Sequence, residues 1–81
     1  MLSYYKIYAM TIHELIAGIL KIPAERVSGA SMKTVAEWDS LKHMVLIVAI
    51  EQEYGIELTG DEIAEMTSVA NIESIVKARG L

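Results

Sequence analysis

The sequence has no cysteine, no phenylalanine, one proline and one tryptophan among 81 residues. Without cysteine there is neither a disulfide framework nor a thiolate metal site, which fits a reducing compartment and makes cytoplasm the expected location. Without phenylalanine, a hydrophobic content of 53% means a core of Ile, Val, Leu, Ala and Met, which favours packed helices over an aromatic-rich β-sandwich. Basic residues are also scarce. A net charge of −4 argues against a nucleic-acid surface and suggests a soluble acidic module that meets basic partners. Long apolar runs are missing: the stretch Met44 to Ile50 falls far short of the roughly 18–20 residues that span a bilayer. No charged, apolar and small-residue regions follow one another at the start, so no signal peptide is expected. A chain of this length is one small domain that buries about 60–65% of its unfolded surface, which leaves little room for a deep enzyme cleft.

What is present is a series of helix signals. Residues 1–10 stand apart, with Tyr4, Tyr5 and Tyr8 beside a single charge at Lys6, and read as a mobile extension rather than a docking tail. Thr11-Ile12-His13-Glu14 is a capping box, and Met10 is placed to staple onto Leu15. The first helix therefore starts at Ile12. Its Ile12, Leu15, Ile16, Ile19 and Leu20 form one stripe, and Pro23 ends it near Lys21 by disfavouring helical backbone at Ile22. From Pro23 to Glu37 no period is sustained, and Ser28-Gly29-Ala30-Ser31 is a turn signal. This is a long loop with one helical turn after Pro23, pinned by Val27, Met32 and Val35, with Trp38 its last anchor.

The second helix runs from Ser40 to about Tyr54 and stops at Gly55, a residue suited to the left-handed C-terminal position. Asp39 is its N-cap, and Ser40 occupies its first turn, at the positive end of the helix dipole. The helix carries more apolar residues than one core stripe needs. Met44, Ile47, Ile50 and Tyr54, with Leu46 beside them, form one face; Leu41, Val45 and Val48 form a second that continues into Gln52. The second stripe is either a docking surface beside Ser40 or is covered by the first helix or the loop. Thr59-Gly60-Asp61-Glu62 is another capping box, with Leu58 stapling onto Ile63, and opens a short helix through about Glu65. Ser68 or Thr67 caps a last helix from Val69, with Val69, Ile72, Ile75 and Val76 facing inward and Gly80 at its end.

The expected fold is thus all-α: three major helices plus one short helix, with a long loop between the first and second. That organisation, with Asp39-Ser40-Leu41 opening the second helix, resembles the acyl carrier protein family across Thr11 to Leu81. The resemblance rests on Trp38-Asp39-Ser40-Leu41, on Glu51-Gln52-Glu53-Tyr54-Gly55-Ile56, on Leu58-Thr59 before the short helix, and on Thr67-Ser68-Val69. It implies that Ser40 is esterified to phosphopantetheine, donated by coenzyme A through a separate magnesium-using phosphopantetheinyl transferase. The arm's thiol then carries acyl groups as thioesters between acyl-loading and acyl-using enzymes. The resemblance also implies that Asp39 and Leu41 present the serine and that the carrier itself is not an enzyme; a monomer that neither inserts in membranes nor binds nucleic acid is expected.

The sequence departs from members of fatty-acid synthesis, which are acidic just after the serine. Here Lys42 and His43 follow Leu41, and Val45 stands where an acid is usual. Trp38, Lys42, Val45 and Val48 are therefore the candidate recognition residues, and a dedicated lipid, polyketide or secondary-metabolite pathway is expected. The alternatives are an aminoacyl or peptidyl carrier, or an unmodified interaction module with the same fold. A hydrolase is disfavoured: His43 lies three residues after Ser40, but no oriented acid completes a triad and no Gly-x-Ser-x-Gly elbow is present. His43 and His13 read as surface residues. Asp61, Glu62 and Glu65 match no calcium loop, so no metal site is expected.

Overall fold

The computed structural model describes residues 11–80; the expectations for the extension at 1–10 and for the Met10 staple lie outside them. Among the described residues the fold is all-helical. Helix α1 spans Ile12–Leu20, α2 Ser40–Tyr54, α3 Gly60–Glu65 and α4 Val69–Ala78. A single 3₁₀ turn, Ala24–Arg26, follows Pro23 in the long first connection.

Each helix begins where a side chain can satisfy the free amides of its first turn. The Thr11 hydroxyl accepts from Glu14 N at 3.1 Å while Glu14 Oε1 accepts from Thr11 N at 2.9 Å. Thr59 and Glu62 repeat this box at the same two distances. Ser68, rather than Thr67, caps α4, its hydroxyl accepting from Asn71 N at 3.1 Å. At its other end α1 closes on Lys21, a non-glycine residue at φ 59°. Pro23 keeps Ile22 out of helical backbone, and Lys21 makes the reversal, with Ile22 N donating to Ala17 O at 3.2 Å.

The buried centre of α2 is His43, Leu46, Ile47 and Ile50, at i, i+3, i+4 and i+7. Leu46, Ile47 and Ile50 pack with Leu15, Ile16 and Leu20 of α1 and Val69, Ile72 and Val76 of α4 in one hydrophobic cluster. Met44 does not belong to it. It is 50% exposed because each helical residue turns about 100°, and a core centred on His43 to Ile50 carries Met44 round to the side of Leu41, Val45 and Val48. Tyr54 and Ile75 pack only partly buried against the cluster.

The connection between α1 and α2 is a chain of turns rather than a slack loop. Ile22, Val27, Ala30, Val35 and Trp38 are all buried; Met32, expected to pin it, is partly buried against the cluster. Its middle pairs with the α3–α4 connection: Met32 N donates to Thr67 O at 2.9 Å and Val69 N to Ala30 O at 3.0 Å, around an antiparallel bridge between Ser31 and Ser68. Trp38 N then donates to Val35 O at 3.0 Å, which delivers Asp39 and Ser40 to the start of α2.

Candidate functional site

Asp39 sits in extended backbone, and its Oδ1 accepts from Lys42 N at 2.8 Å while its carbonyl accepts from His43 N at 2.8 Å. The cap thus forms as read, and it leaves Ser40 exposed at the first helical position. Among the described residues the Ser40 hydroxyl has no hydrogen-bond partner. Leu41 beside it is 74% exposed, followed along the same side by Met44, Val45 at 45% and Val48 at 46%. These four lie at i, i+3, i+4 and i+7, a continuous apolar stripe open to solvent with the serine at its head. Neither α1 nor the loop covers it.

Lys42 is half-buried and leaves the stripe. Its Nζ donates to Ile19 O at 3.4 Å, near the C-terminal end of α1, a helix with no basic residue in its last turn. The ammonium therefore offsets the negative end of that helix dipole. No carboxylate occurs in α2 between Asp39 and Glu51, so the exposed face next to the serine is apolar and almost uncharged.

His43, read as a surface residue, and Trp38, read both as the loop's last anchor and as a recognition candidate, are inside. Trp38, expected to meet partners, is 1% exposed, and His43 is 8% exposed. The indole Nε1–H donates to His43 Nδ1 at 3.1 Å, and the other ring nitrogen lies 2.9 Å from Ile63 O. An indole can only donate, so Nδ1 must accept, and Nε2 carries the proton donated to the carbonyl. One neutral imidazole thereby ties the end of the loop, α2 and α3 together. Breaking this bridge strands buried polar groups at about 1–3 kcal/mol each. Both nitrogens of His43 are engaged away from Ser40, which removes it as a base for the serine. The sequence held a signal for this: His43 fits the i, i+3, i+4, i+7 frame of Leu46, Ile47 and Ile50, and only its polarity hid it.

His13 conforms better to expectation, since its side chain is 40% exposed; its Nε2 lies 2.6 Å from Glu73 Oε2, joining α1 to α4. Helix α3 is held at its acidic end as well. Glu62 accepts from Arg79 Nε at 3.1 Å and from a second guanidinium nitrogen. The Arg79 hydrogen bond, and then that from the Thr59 amide, lowers the Glu62 carboxyl to about 2. Among the described residues no group of three or more His, Asp and Glu side chains is arranged to hold a metal ion, and no helix is long and apolar enough to cross a membrane.

Ser40 is thus an exposed serine at a helix start, headed by an acidic cap and followed by an open apolar stripe. The family model described as "phosphopantetheine attachment site" matches residues 11–76. The chain belongs to this family of carrier domains, in which phosphopantetheine is attached covalently. No curated protein matches the chain at a significant level. The local structure fits the group: a phosphodiester on the Ser40 oxygen would extend into solvent and lie at the positive end of α2, where first-turn amides favour negative charge.

Proposed function

We propose that Ser40 is the attachment residue and that the domain, comprising residues 11–81, carries acyl groups as thioesters between partner enzymes without itself catalysing their reactions. The observation that carries this reading is the exposed, unpartnered Ser40 hydroxyl on a rigidly capped helix start. In the loading step the Ser40 oxygen bonds to the phosphorus bearing the pantetheine arm of coenzyme A. The bond to the nucleotide-side phosphate breaks, and the hydroxyl proton passes to a base of the transferase. Asp39 fixes the helix start, and Leu41 projects beside the reacting oxygen. The arm supplies a thiol that the cysteine-free chain lacks.

The partner face in this reading is Leu41, Met44, Val45 and Val48, with Lys42 at its edge. A nearly uncharged apolar patch of this kind meets partners through burial more than through charge, so association should depend only weakly on salt. This supports enzymes of a dedicated pathway, whose docking surfaces need not be strongly basic. Trp38 supports the site from within.

The test is intact mass after incubation with coenzyme A, magnesium and a promiscuous phosphopantetheinyl transferase. One added phosphopantetheine on the parent and none on Ser40→Ala is the expected result. A folded, initially unmodified parent that gains nothing with several transferases would instead be an interaction module.

A further inference from the structure

A group carried on Ser40 has two places to go: outward along the stripe of Leu41, Met44, Val45 and Val48, or inward between the helices. Inward, the short wall that the His43–Ile63 contact sets against α2 is α3, six residues long with no residue of its own fully buried. The structure fastens it on every side. Where the chain enters α3, Leu58 N donates to Glu51 Oε2 of α2 at 2.9 Å. In its middle, Ile63 O receives the His43 Nε2–H, with Trp38 behind it. At its end, Asn71 Nδ2 of α4 donates to Glu65 O at 2.8 Å, and Glu62 is clamped by Arg79.

The interior behind that wall is closed to solvent. Trp38, Leu46, Ile47, Ile50 and Met66 are each at most 1% exposed. Two surface pockets, of about 580 and 250 Å³, lie elsewhere, one between Ile12, Tyr54 and α4 and the other beside Thr67 and Asn71. Neither is lined by a residue of the first two turns of α2.

Resting on the reading of Ser40 as the attachment residue, we propose that this carrier keeps its cargo outside the helical core, with the His43 bridge as the bolt that holds α3 shut. The cargo class that suits such a carrier is short or polar acyl and aminoacyl groups, which gain little from an apolar interior. A longer chain finds apolar contact only on the exposed stripe, the same surface that partner enzymes bury.

The experiment loads the parent protein with acetyl or octanoyl cargo, using the matching acyl-coenzyme A and the transferase, and follows thioester cleavage by hydroxylamine through intact mass. Acetyl and octanoyl forms are expected to cleave at equal rates, and the methyl signals of Leu46, Ile47 and Ile50 are expected to be unmoved between them. Octanoyl cleavage about tenfold slower than acetyl, as for a chain inside the protein some nine-tenths of the time, together with shifts in those methyls, would overturn the proposal. His43→Gln, which keeps an acceptor and a donor, should behave as the parent, whereas His43→Ala should slow the octanoyl form alone. The comparison within the parent decides the matter even if His43→Ala does not fold. A parent that accepts neither group would instead defeat the assignment of Ser40, a separate outcome read directly from the mass.

Discussion

The two sides of α2 differ in a way that composition does not suggest. The buried side contains a histidine, and the exposed side contains four large apolar residues, Leu41, Met44, Val45 and Val48. A helix that served only to fold the domain would have these assignments reversed. The difference teaches that the buried polar residue is admitted because both its nitrogens find partners, while the exposed apolar residues remain uncovered among the described residues. One side of this fifteen-residue helix therefore carries stability, and the opposite side is the partner face proposed above.

The comparison is most sharply tested on the buried side. Leu46→Ala should cost about 2–5 kcal/mol, as large-to-small changes in a packed core do, read from the urea midpoint at unchanged slope. His43→Ala should follow, by about 1–3 kcal/mol for each polar group left unpaired, and the loss of the Trp38 partner should appear in the emission of the only tryptophan. Glu62→Gln, away from both sides, should have a smaller, pH-dependent effect. The folded Glu62 carboxyl lies at about 2 against an ordinary value of 4.5, so its contribution is present above the ordinary value and is lost as pH falls through about 2. The melting temperatures of parent and variant should therefore converge as pH is lowered across that window. Smallest of all should be Val45→Ser, within about 0.5 kcal/mol as for an exposed site, while kcat/KM with the transferase falls. A Val45→Ser loss as large as that of Leu46→Ala would erase the distinction between the two sides.

Where backbone chemistry sets the boundary, the sequence was sufficient. The boxes at Thr11 and Thr59, Asp39 before α2, Ser68 before α4, and Gly55 after α2 all place helix ends as read, because capping is decided within four residues. The choice of side on α2 was not legible in the same way. Its apolar residues fit two overlapping stripes, and Met44 was assigned to the wrong one because His43, the residue that centres the core, is polar and its partners Trp38 and Ile63 come from other segments. Trp38 was legible as an anchor but not as a residue wholly withdrawn from the surface, since that depends on His43. The Arg79 clamp on Glu62 joins residues of separate helices, and periodicity carries no information about such a pair. The motif around Ser40 was legible because its elements are contiguous.

The pairing of Ser31 with Ser68 has a consequence for the order of events during synthesis. Met32 and Ala30 find these hydrogen-bond partners at Thr67 and Val69, in the opposite half of the chain, so the turns of the first connection are clasped at their middle only when the last helix has begun. Contacts between such distant segments close late, after local helices have formed. A nascent chain still lacking the α3–α4 connection holds α2 and its serine but not the clasp that steadies the approach to them. Steady presentation of Ser40 is thus a property of the completed domain, and a chain released short of its last helix would hold the proposed attachment serine on an unfinished support.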